Sequence, residues 1–210
     1  MTEETMTVAT YSDYEDFVTR LGSPFTMENE CSKAGTAGLG LAGEAGEVAA
    51  IVVDLMAEND ADELPEAWRL KLIDELGDIM WYVAFTTKNV IRTSLQATVD
   101  IYGDVDSLSK TYPVRALRVF QPQLTNRCCA VSDIIKKVLY HGKPFNDDVR
   151  EKIKENLGSI VSLVTMMAKD VCRVELKDVI DRNVAKLSER YKSLQFTVKE
   201  FMDKESGQNV

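Results

Sequence analysis

Residues 74–95 read DELGDIMWYVAFTTKNVIRTSL, and the spacing of their apolar side chains decides the fold class. Leu76, Ile79 and Val83 recur at steps of three and four, which places them on one face of an α-helix. The apolar spacing also extends upstream of this stretch. We therefore predict a long, strongly apolar helix over residues 66–91.

Helical spacing continues along almost the whole chain, and no strand-like alternation of useful length appears in the sequence. Besides the helix above, the predicted helices cover residues 11–22, 37–58, 124–140, 148–172 and 176–202, with a further turn or two over residues 95–101. Asp147 is the expected N-cap of the helix that begins at residue 148. We therefore expect an all-α protein, built as a bundle of antiparallel helices.

The second half of the sequence resembles the first. Residues 155–176, ENLGSIVSLVTMMAKDVCRVEL, align with residues 74–95 in one continuous frame. Residues 186–191, KLSERY, align with residues 107–112, SLSKTY, in a frame that differs by two residues. We predict a tandem duplication of roughly 80 residues with small insertions, against the simpler alternative of two amphipathic helices of similar composition.

Pro113 marks the predicted boundary between the two repeats. Residues 1–113 are expected to form the first repeat, residues 114–203 the second and residues 204–210 a polar tail. The formal net charge of −9 divides unevenly here, because the first part has 7 Lys and Arg against 21 Asp and Glu, and the rest has 18 against 13. The acidic total disfavours a nucleic-acid polymer as the main partner.

Several further protein classes are disfavoured by the sequence. No apolar run is long enough to predict a membrane-spanning helix, and the first ten residues lack the pattern of a secretory signal. The four cysteines form no CxxC pair, so we expect reduced thiols in a cytoplasmic protein. The single histidine, His141, disfavours a histidine-based zinc site.

Four acidic residues form the candidate metal site. The stretch GLAGEAGEV has Glu44 and Glu47 three residues apart, and DELGD has Glu75 and Asp78 at the same spacing. Residues at i and i+3 share one helix face, so two packed helices can bring all four carboxylates together. Such a cluster of charges calls for a hard dication, and oxygen ligands favour Mg²⁺ or Mn²⁺.

The surroundings of these acids distinguish them from ordinary surface charges. Acidic pairs at i,i+3 are common by chance, but these two pairs lie within apolar stretches, where a charged group needs a reason. Gly43, Gly46 and Gly77 are expected to permit close helix approach, at a helix-propensity cost of about 1 kcal/mol each.

The acidic motifs also carry a family resemblance. GLAGEAGEV followed by DELGDIMWYV closely resembles the ExxE…ExxD signature of the MazG-like all-α nucleoside triphosphate pyrophosphohydrolases, a group that includes all-α dUTPases and dCTPases. VSDIIKKVLYHGK and NVAKLSERY are similar to further segments of this family, so the resemblance covers residues 11–192. It implies Mg²⁺ held by the four acids and cleavage of the α–β phosphate linkage of a nucleotide, which releases a monophosphate and pyrophosphate.

The second repeat departs from this signature, because it lacks all four acids. At the equivalent positions the alignment places Arg127, Ala130, Asn156 and Ser159. The family-like polar residues near the end of the second repeat are Asn183, Lys186 and Arg190, and the alignment pairs them with Asp104, Ser107 and Thr111. We therefore predict that the first repeat supplies the metal ligands and the second supplies contacts to the phosphates.

One of the four acids and two neighbouring aromatic residues are assigned further roles. Glu47 is the predicted acceptor of a proton from the attacking water. Trp81 and Tyr82 follow Asp78 by three and four residues, and their rings can pack on the sugar or base of a nucleotide, with core packing as the alternative. Resemblance to the dCTPases places Tyr82 near the sugar.

Three alternatives to a pyrophosphohydrolase are considered from the sequence. A di-iron centre is disfavoured, because that class uses a Glu-x-x-His motif on two helices and this chain has one histidine. A helical scaffold without activity is a second alternative, and an all-α dUTPase that hydrolyses dUTP and dUDP is a third. We expect a nucleotide hydrolase in a bacterial or phage-infected cytoplasm, either alone or paired again as a homodimer of pseudo-dimers.

Overall fold

The computed structural model describes residues 8–22, 29–58, 63–105 and 112–193. Within these ranges the regular secondary structure is helical and contains no strand, so the predicted all-α class is confirmed. The helices are α1 (Tyr11–Gly22), α2 (Glu30–Glu58), α3 (Glu66–Asn89), α4 (Leu95–Tyr102), α5 (Pro113–Tyr140), α6 (Asp147–Met166) and α7 (Leu176–Arg190), and a π-helical segment (Met167–Cys172) follows α6. In the described part of the chain, none of them has the length and apolar character needed to cross a lipid bilayer.

Helix α2 begins earlier than predicted, at Glu30 rather than residue 37, and contains Gly35, Gly38 and Gly40. The Asn29 side chain caps its first turn, because its Oδ1 accepts the Ser32 backbone N–H at 2.9 Å. Gly38 lies against Ile135 of α5, and the Ser132 hydroxyl donates to the Gly38 carbonyl at 2.5 Å. Packing against α5 therefore outweighs the low helix propensity of glycine in this segment.

Helix α5 also begins earlier than predicted, at Pro113 rather than residue 124. Proline is tolerated in the first helical turn, since its missing N–H would have no partner there. Pro122 lies inside the helix on its exposed side, and the helix continues past it. The predicted repeat boundary thus coincides with the start of a 28-residue helix.

The boundaries of the last two helices need smaller corrections. The N-cap of α6 is Asn146 rather than Asp147, and its side chain accepts the Val149 N–H at 3.1 Å. Helix α7 ends at Arg190, and the predicted helix beyond residue 193 lies outside the described part of the chain. The polar tail likewise falls outside it.

A single hydrophobic core runs through the bundle. Helix α2 packs on α3 and α5, α5 packs on α6, and α7 packs on α3. Leu41, Leu76, Leu124 and Ile153 are fully buried in this core. Helix α3 is consequently bordered by α2 from the first half of the chain and by α7 from the second.

Two helix ends in the chain share an unusual backbone geometry. Arg92 after α3 and Arg173 after the π-helical segment have φ angles of 57° and 60°, and they are 81 positions apart. In each case the N–H of the next residue donates to a carbonyl six residues earlier, at 2.8 and 3.0 Å respectively. These bonds span one residue more than the bond of the usual left-handed C-cap, and in both places an arginine rather than a glycine has the positive φ angle.

Long-range contacts recur with the same spacing. Arg69 of α3 donates to the carbonyl of Cys172 at 3.1 Å, and Arg150 of α6, 81 positions later, donates to the carbonyl of Val90 at 2.7 Å. Each arginine therefore closes the helix end of the opposite half of the molecule.

Two close helix crossings also recur at a spacing of 81 positions. A Cβ on Gly77 would lie 2.9 Å from the Cβ of Asn183, and a Cβ on Gly158 would lie 2.5 Å from the ring of Tyr102. Glycine is therefore needed in both halves, where α7 crosses α3 and where α4 crosses α6.

Candidate metal centre

Three of the four predicted metal ligands meet between α2 and α3. Glu44 of α2 and Glu75 and Asp78 of α3 each place one carboxylate oxygen within 4.8 Å of the others. All three side chains are half-buried. A separation of this size suits oxygen atoms that share one hard dication.

Burial and mutual repulsion raise the pKa of two of these carboxyls. Loss of hydration on burial, followed by the charges of Asp78, Glu47 and Glu75, raises the pKa of Glu44 to about 8, against the smaller opposing effect of Lys186. Burial and the charge of Asp78 similarly raise the pKa of Glu75 to about 7. The site therefore attracts protons at neutral pH, and a metal cation would satisfy the same carboxylates.

Glu47 lies at the edge of this group rather than inside it. Its side chain is exposed, and the group of oxygens within 4.8 Å contains Glu44, Glu75 and Asp78 only, among the described residues. The Glu47 charge still raises the pKa of Glu44 and of Glu75, so the four acids share one electrostatic environment.

Asp78 is held by side chains from α1 and α7. The Asn183 amide donates to Asp78 Oδ1 at 2.7 Å, and the Tyr14 hydroxyl donates to Asn183 Oδ1 at 2.8 Å. Tyr14 and Asn183 are both buried. This chain of hydrogen bonds fixes the orientation of the carboxylate, as partners of metal ligands generally do.

Two cationic side chains of α7 lie along α3 in matching order. Arg182 forms a bidentate ion pair with Asp74, at 2.7 and 2.9 Å. One turn later, the Lys186 ammonium pairs with Asp78 Oδ2. Because both pairs are spaced by four residues, they dock one face of α7 on one face of α3.

Two of these contributors were missed in the sequence. Tyr14 lies in α1, far from the motif in sequence, and nothing in the local pattern connects it with Asn183. Arg182 did carry a signal, because it lies four residues before Lys186 on the same helix face, as Asp74 lies four before Asp78.

The glycines near the acids behave differently from one another. Gly77 permits the close approach of α7, as predicted, and Gly40 makes room for the ring of Tyr82. The prediction for Gly43 and Gly46 is wrong, because a Cβ on either would have no neighbour within 4 Å. These two positions are exposed on α2.

Of the two aromatic candidates, Tyr82 lies at the site and Trp81 lies in the core. Tyr82 is half-buried beside the carboxylates, and burial together with the charges of Glu44 and Asp78 raises the pKa of its hydroxyl to about 12. Trp81 is buried and stacks on Phe85 with ring centres 5.4 Å apart, which agrees with the core-packing alternative. The role of either ring in binding stays a prediction.

Arg190 lies on α7 four residues after Lys186, and its guanidinium carbon is 5.3 Å from the centre of the Tyr191 ring. The structure thus places it in line with Lys186, one turn farther from Asp78. Its contact with phosphate stays a prediction.

The corresponding place in the second half has a different character. Arg127 of α5 donates to Asn156 Oδ1 of α6 at 3.5 Å, and the Ser159 hydroxyl donates to its own helix at the Glu155 carbonyl. Here a guanidinium and an amide stand where the first half has carboxylates. Nothing in this pair calls for a cation.

The glycine crossings differ by two residues from the predicted alignment near α4. The sequence alignment pairs Asn183 with Asp104, whereas in the structure Tyr102 lies against Gly158 as Asn183 lies against Gly77. Asp104 is exposed, and Ser107 and Thr111 lie outside the described residues.

An apolar groove lies between α2 and α5. It has a volume of about 360 Å³ and is lined by residues that include Gly38, Leu39 and Ile135. The groove contains none of the four acids, and its polar side chains Ser132, Asp133 and Lys136 are already engaged with partners on α2 or α5. The acidic group is therefore the better candidate for chemistry.

The carboxylate group fits a hard divalent cation by its oxygen donors, its raised pKa values and the Lys186 ammonium already drawn to it. Comparison of the chain with family models, with curated proteins and with solved structures gives no match. What the site does must therefore be inferred from its own residues.

Proposed function

We propose that this protein is a Mg²⁺-dependent nucleotide pyrophosphohydrolase, similar to the MazG-like enzymes, which cleaves the α–β phosphate linkage of a nucleoside or deoxynucleoside triphosphate. One observation carries the proposal: three carboxylates converge within 4.8 Å, bordered by the cationic face of α7. A triphosphate needs both a metal site and positive side chains, because it is itself an anion. A cytoplasmic role in nucleotide-pool sanitation follows from the same proposal.

Glu44, Glu75 and Asp78 would hold the metal, with Mn²⁺ as a substitute for Mg²⁺. When bound, such an ion neutralises phosphate charge and increases the acidity of water. Asn183 and Tyr14 keep the Asp78 carboxylate in one orientation through the hydrogen bonds described above. This preorganisation limits the reorganisation needed when substrate arrives.

The remaining roles follow from position. Glu47, exposed beside the three inner carboxylates, is suited to accept the proton of the attacking water, since it is not enclosed among them. Lys186 and Arg190 are assigned to the phosphates, and Tyr82 to the sugar.

The second part of the proposal is that the chain consists of two tandem repeats, residues 1–113 and 114–203, arranged as a pseudo-dimer. Its support is the set of contacts that recur at 81 positions, above all the reciprocal crossings of Gly77 with Asn183 and of Gly158 with Tyr102. In a two-fold arrangement, residue i of one copy contacts residue j of the other and the reverse also holds. The reciprocal arginine contacts agree with this rule within one residue.

Steady-state kinetics on a panel of triphosphates with Mg²⁺ test the division of labour between the repeats. We expect Lys186→Ala and Arg190→Ala to lower kcat/KM by about tenfold or more, because each removes a charge-assisted contact to phosphate. Lys177→Ala is the matched control, since Lys177 pairs with Asp181 on the same helix. Unchanged kcat and KM in both test variants would refute the assignment, and no turnover with Mg²⁺ or Mn²⁺ would favour the scaffold.

A further inference from the structure

The Asp78 carboxylate has a partner on each oxygen. The Asn183 amide donates to Oδ1 at 2.7 Å, and the Lys186 ammonium binds Oδ2. Lys186 Nζ also lies 3.4 Å from the backbone carbonyl of Asp74, so it sits in a small cradle on α3. A cation therefore already occupies one oxygen of a proposed metal ligand.

The two partners differ in their freedom to move. Asn183 is 1% exposed, and its amide oxygen is held by the Tyr14 hydroxyl. It can remain in place while Asp78 binds a metal. Lys186 has a flexible four-carbon stem and a side chain that is 22% exposed, so its ammonium can leave without disturbing the core.

Contacts other than the Lys186–Asp78 pair also dock α7 on α3. Arg182 holds Asp74 by two hydrogen bonds one turn earlier, and Asn183 packs directly on Gly77. Departure of the Lys186 ammonium would thus leave the helix pair intact.

We propose that Lys186 is the resident counter-cation of the metal-free site, that a divalent ion displaces its ammonium from Asp78 Oδ2, and that the released ammonium then becomes available to the triphosphate. This inference rests on the proposed function. A divalent ion and an ammonium repel each other when they share one carboxylate in a half-buried site, so a bound ion weakens the contact between Asp78 and the Lys186 ammonium. Metal binding and nucleotide binding are then coupled through the position of one side chain.

The test is a titration with Mn²⁺ alone, in which electron paramagnetic resonance counts the free ion. Lys186→Met removes the competitor and keeps most of the apolar stem. We expect it to bind Mn²⁺ about tenfold more tightly than the wild type. In the variant, metal binding no longer has to break the charge-assisted hydrogen bond between Lys186 and Asp78.

Arg182→Met is the matched control, because it removes one positive charge from the same helix one turn away and leaves both Asp78 contacts in place. We expect its Mn²⁺ affinity to change by less than about threefold, since Arg182 and Asp74 are partly exposed and their charges are screened by solvent. Thermal unfolding of both variants checks that α7 remains docked.

The outcomes separate this inference from the proposed function. Unchanged or weaker Mn²⁺ binding by Lys186→Met would overturn the displacement, and so would an equal gain in both variants, which would reflect helix charge alone. If neither wild type nor Lys186→Met binds Mn²⁺, the metal centre itself is refuted together with the inference. Wild-type binding and turnover combined with no gain in Lys186→Met would remove the inference and leave the function.

Discussion

The two halves of this molecule place different side chains at positions that the sequence alignment pairs. Between α2 and α3, Glu44, Glu75 and Asp78 converge within 4.8 Å. Between α5 and α6, Arg127 instead contacts Asn156 at 3.5 Å. The first place repels its own charges and attracts cations, whereas the second is satisfied without an added ion.

The backbone does not account for this difference. Both halves have a left-handed residue at a helix end, an arginine that closes the opposite helix end, and a glycine at a helix crossing. The supporting geometry is shared and the polar side chains are not. The comparison teaches that the helical frame permits a metal site without specifying one, and that function lies in a few side chains.

Removal of a carboxylate should have the largest effect. We expect Asp78→Asn and Glu75→Gln to lower kcat/KM by about 10³-fold, because each removes a ligand of an ion whose catalytic contribution is several kcal/mol. Mn²⁺ binding, measured by calorimetry, should weaken in parallel.

Asn156→Ala and Ser159→Ala supply the matched controls at the corresponding place in the second half. We expect both to retain wild-type kcat/KM and Mn²⁺ affinity, since the Arg127 contact and the Ser159 hydrogen bond are structural. Equal losses in the two halves would show that the second place also takes part in catalysis.

The pH dependence of stability should also separate the halves. In the folded protein without metal, burial and the neighbouring carboxylates raise the pKa of Glu44 to about 8 and that of Glu75 to about 7, against about 4.5 for a free glutamate. The folded state therefore keeps protons that the unfolded chain releases, and the free energy of unfolding should fall as the pH rises from about 5 to about 8.

Thermal unfolding in a chelator checks this slope. We expect Glu44→Gln to flatten it and added Mn²⁺ to restore stability at the alkaline end, whereas Asn156→Ala should keep the wild-type slope. Stability that rises with pH in this window would mean that the two glutamates are stabilised as anions in the folded protein.

Substitution of three glycines should give the smallest effects, and these are effects on stability. Gly77→Ala and Gly158→Ala place a Cβ 2.9 Å from Asn183 and 2.5 Å from Tyr102, so we expect each to cost about 1–2 kcal/mol from overpacking. Gly46→Ala meets nothing within 4 Å, and should gain about 1 kcal/mol from helix propensity.

Melting temperatures measure all three changes, and Mn²⁺ affinity distinguishes the first two. Only Gly77→Ala should weaken Mn²⁺ binding, because it displaces the side chain that orients Asp78. If Gly158→Ala weakened Mn²⁺ binding to the same degree, the metal effect would reflect general loosening of the bundle.

The sequence predicted the helical class and the position of most helices, because apolar side chains recur at helical spacing. It failed where a residue with low helix propensity is compensated by a distant contact. Gly38 lies within α2, where Ile135 of α5 packs against it. No local sequence pattern predicts this contact. The first turns of α5, which include Pro122 on the exposed side of the helix, were also missed.

The candidate site was likewise predicted in part from the sequence. The spacing of Glu75 and Asp78 and the apolar surroundings of these acids and of Glu44 together predicted the carboxylate group, because i,i+3 neighbours share a helix face. The exposed position of Glu47 and the contact of Tyr14 with Asn183 depend on how α1 and α2 are rotated in the bundle. Local sequence patterns contain no information on that rotation.

The most direct test of the central claim is the identity of the products formed from deoxynucleoside triphosphates with Mg²⁺, resolved by mass spectrometry or ³¹P NMR. A site that joins the carboxylates of α2 and α3 to the cations of α7 should release monophosphate and pyrophosphate in equal amounts, and Asp78→Asn should release neither. Formation of diphosphate and inorganic phosphate, or no hydrolysis of any triphosphate with either metal, would contradict the account.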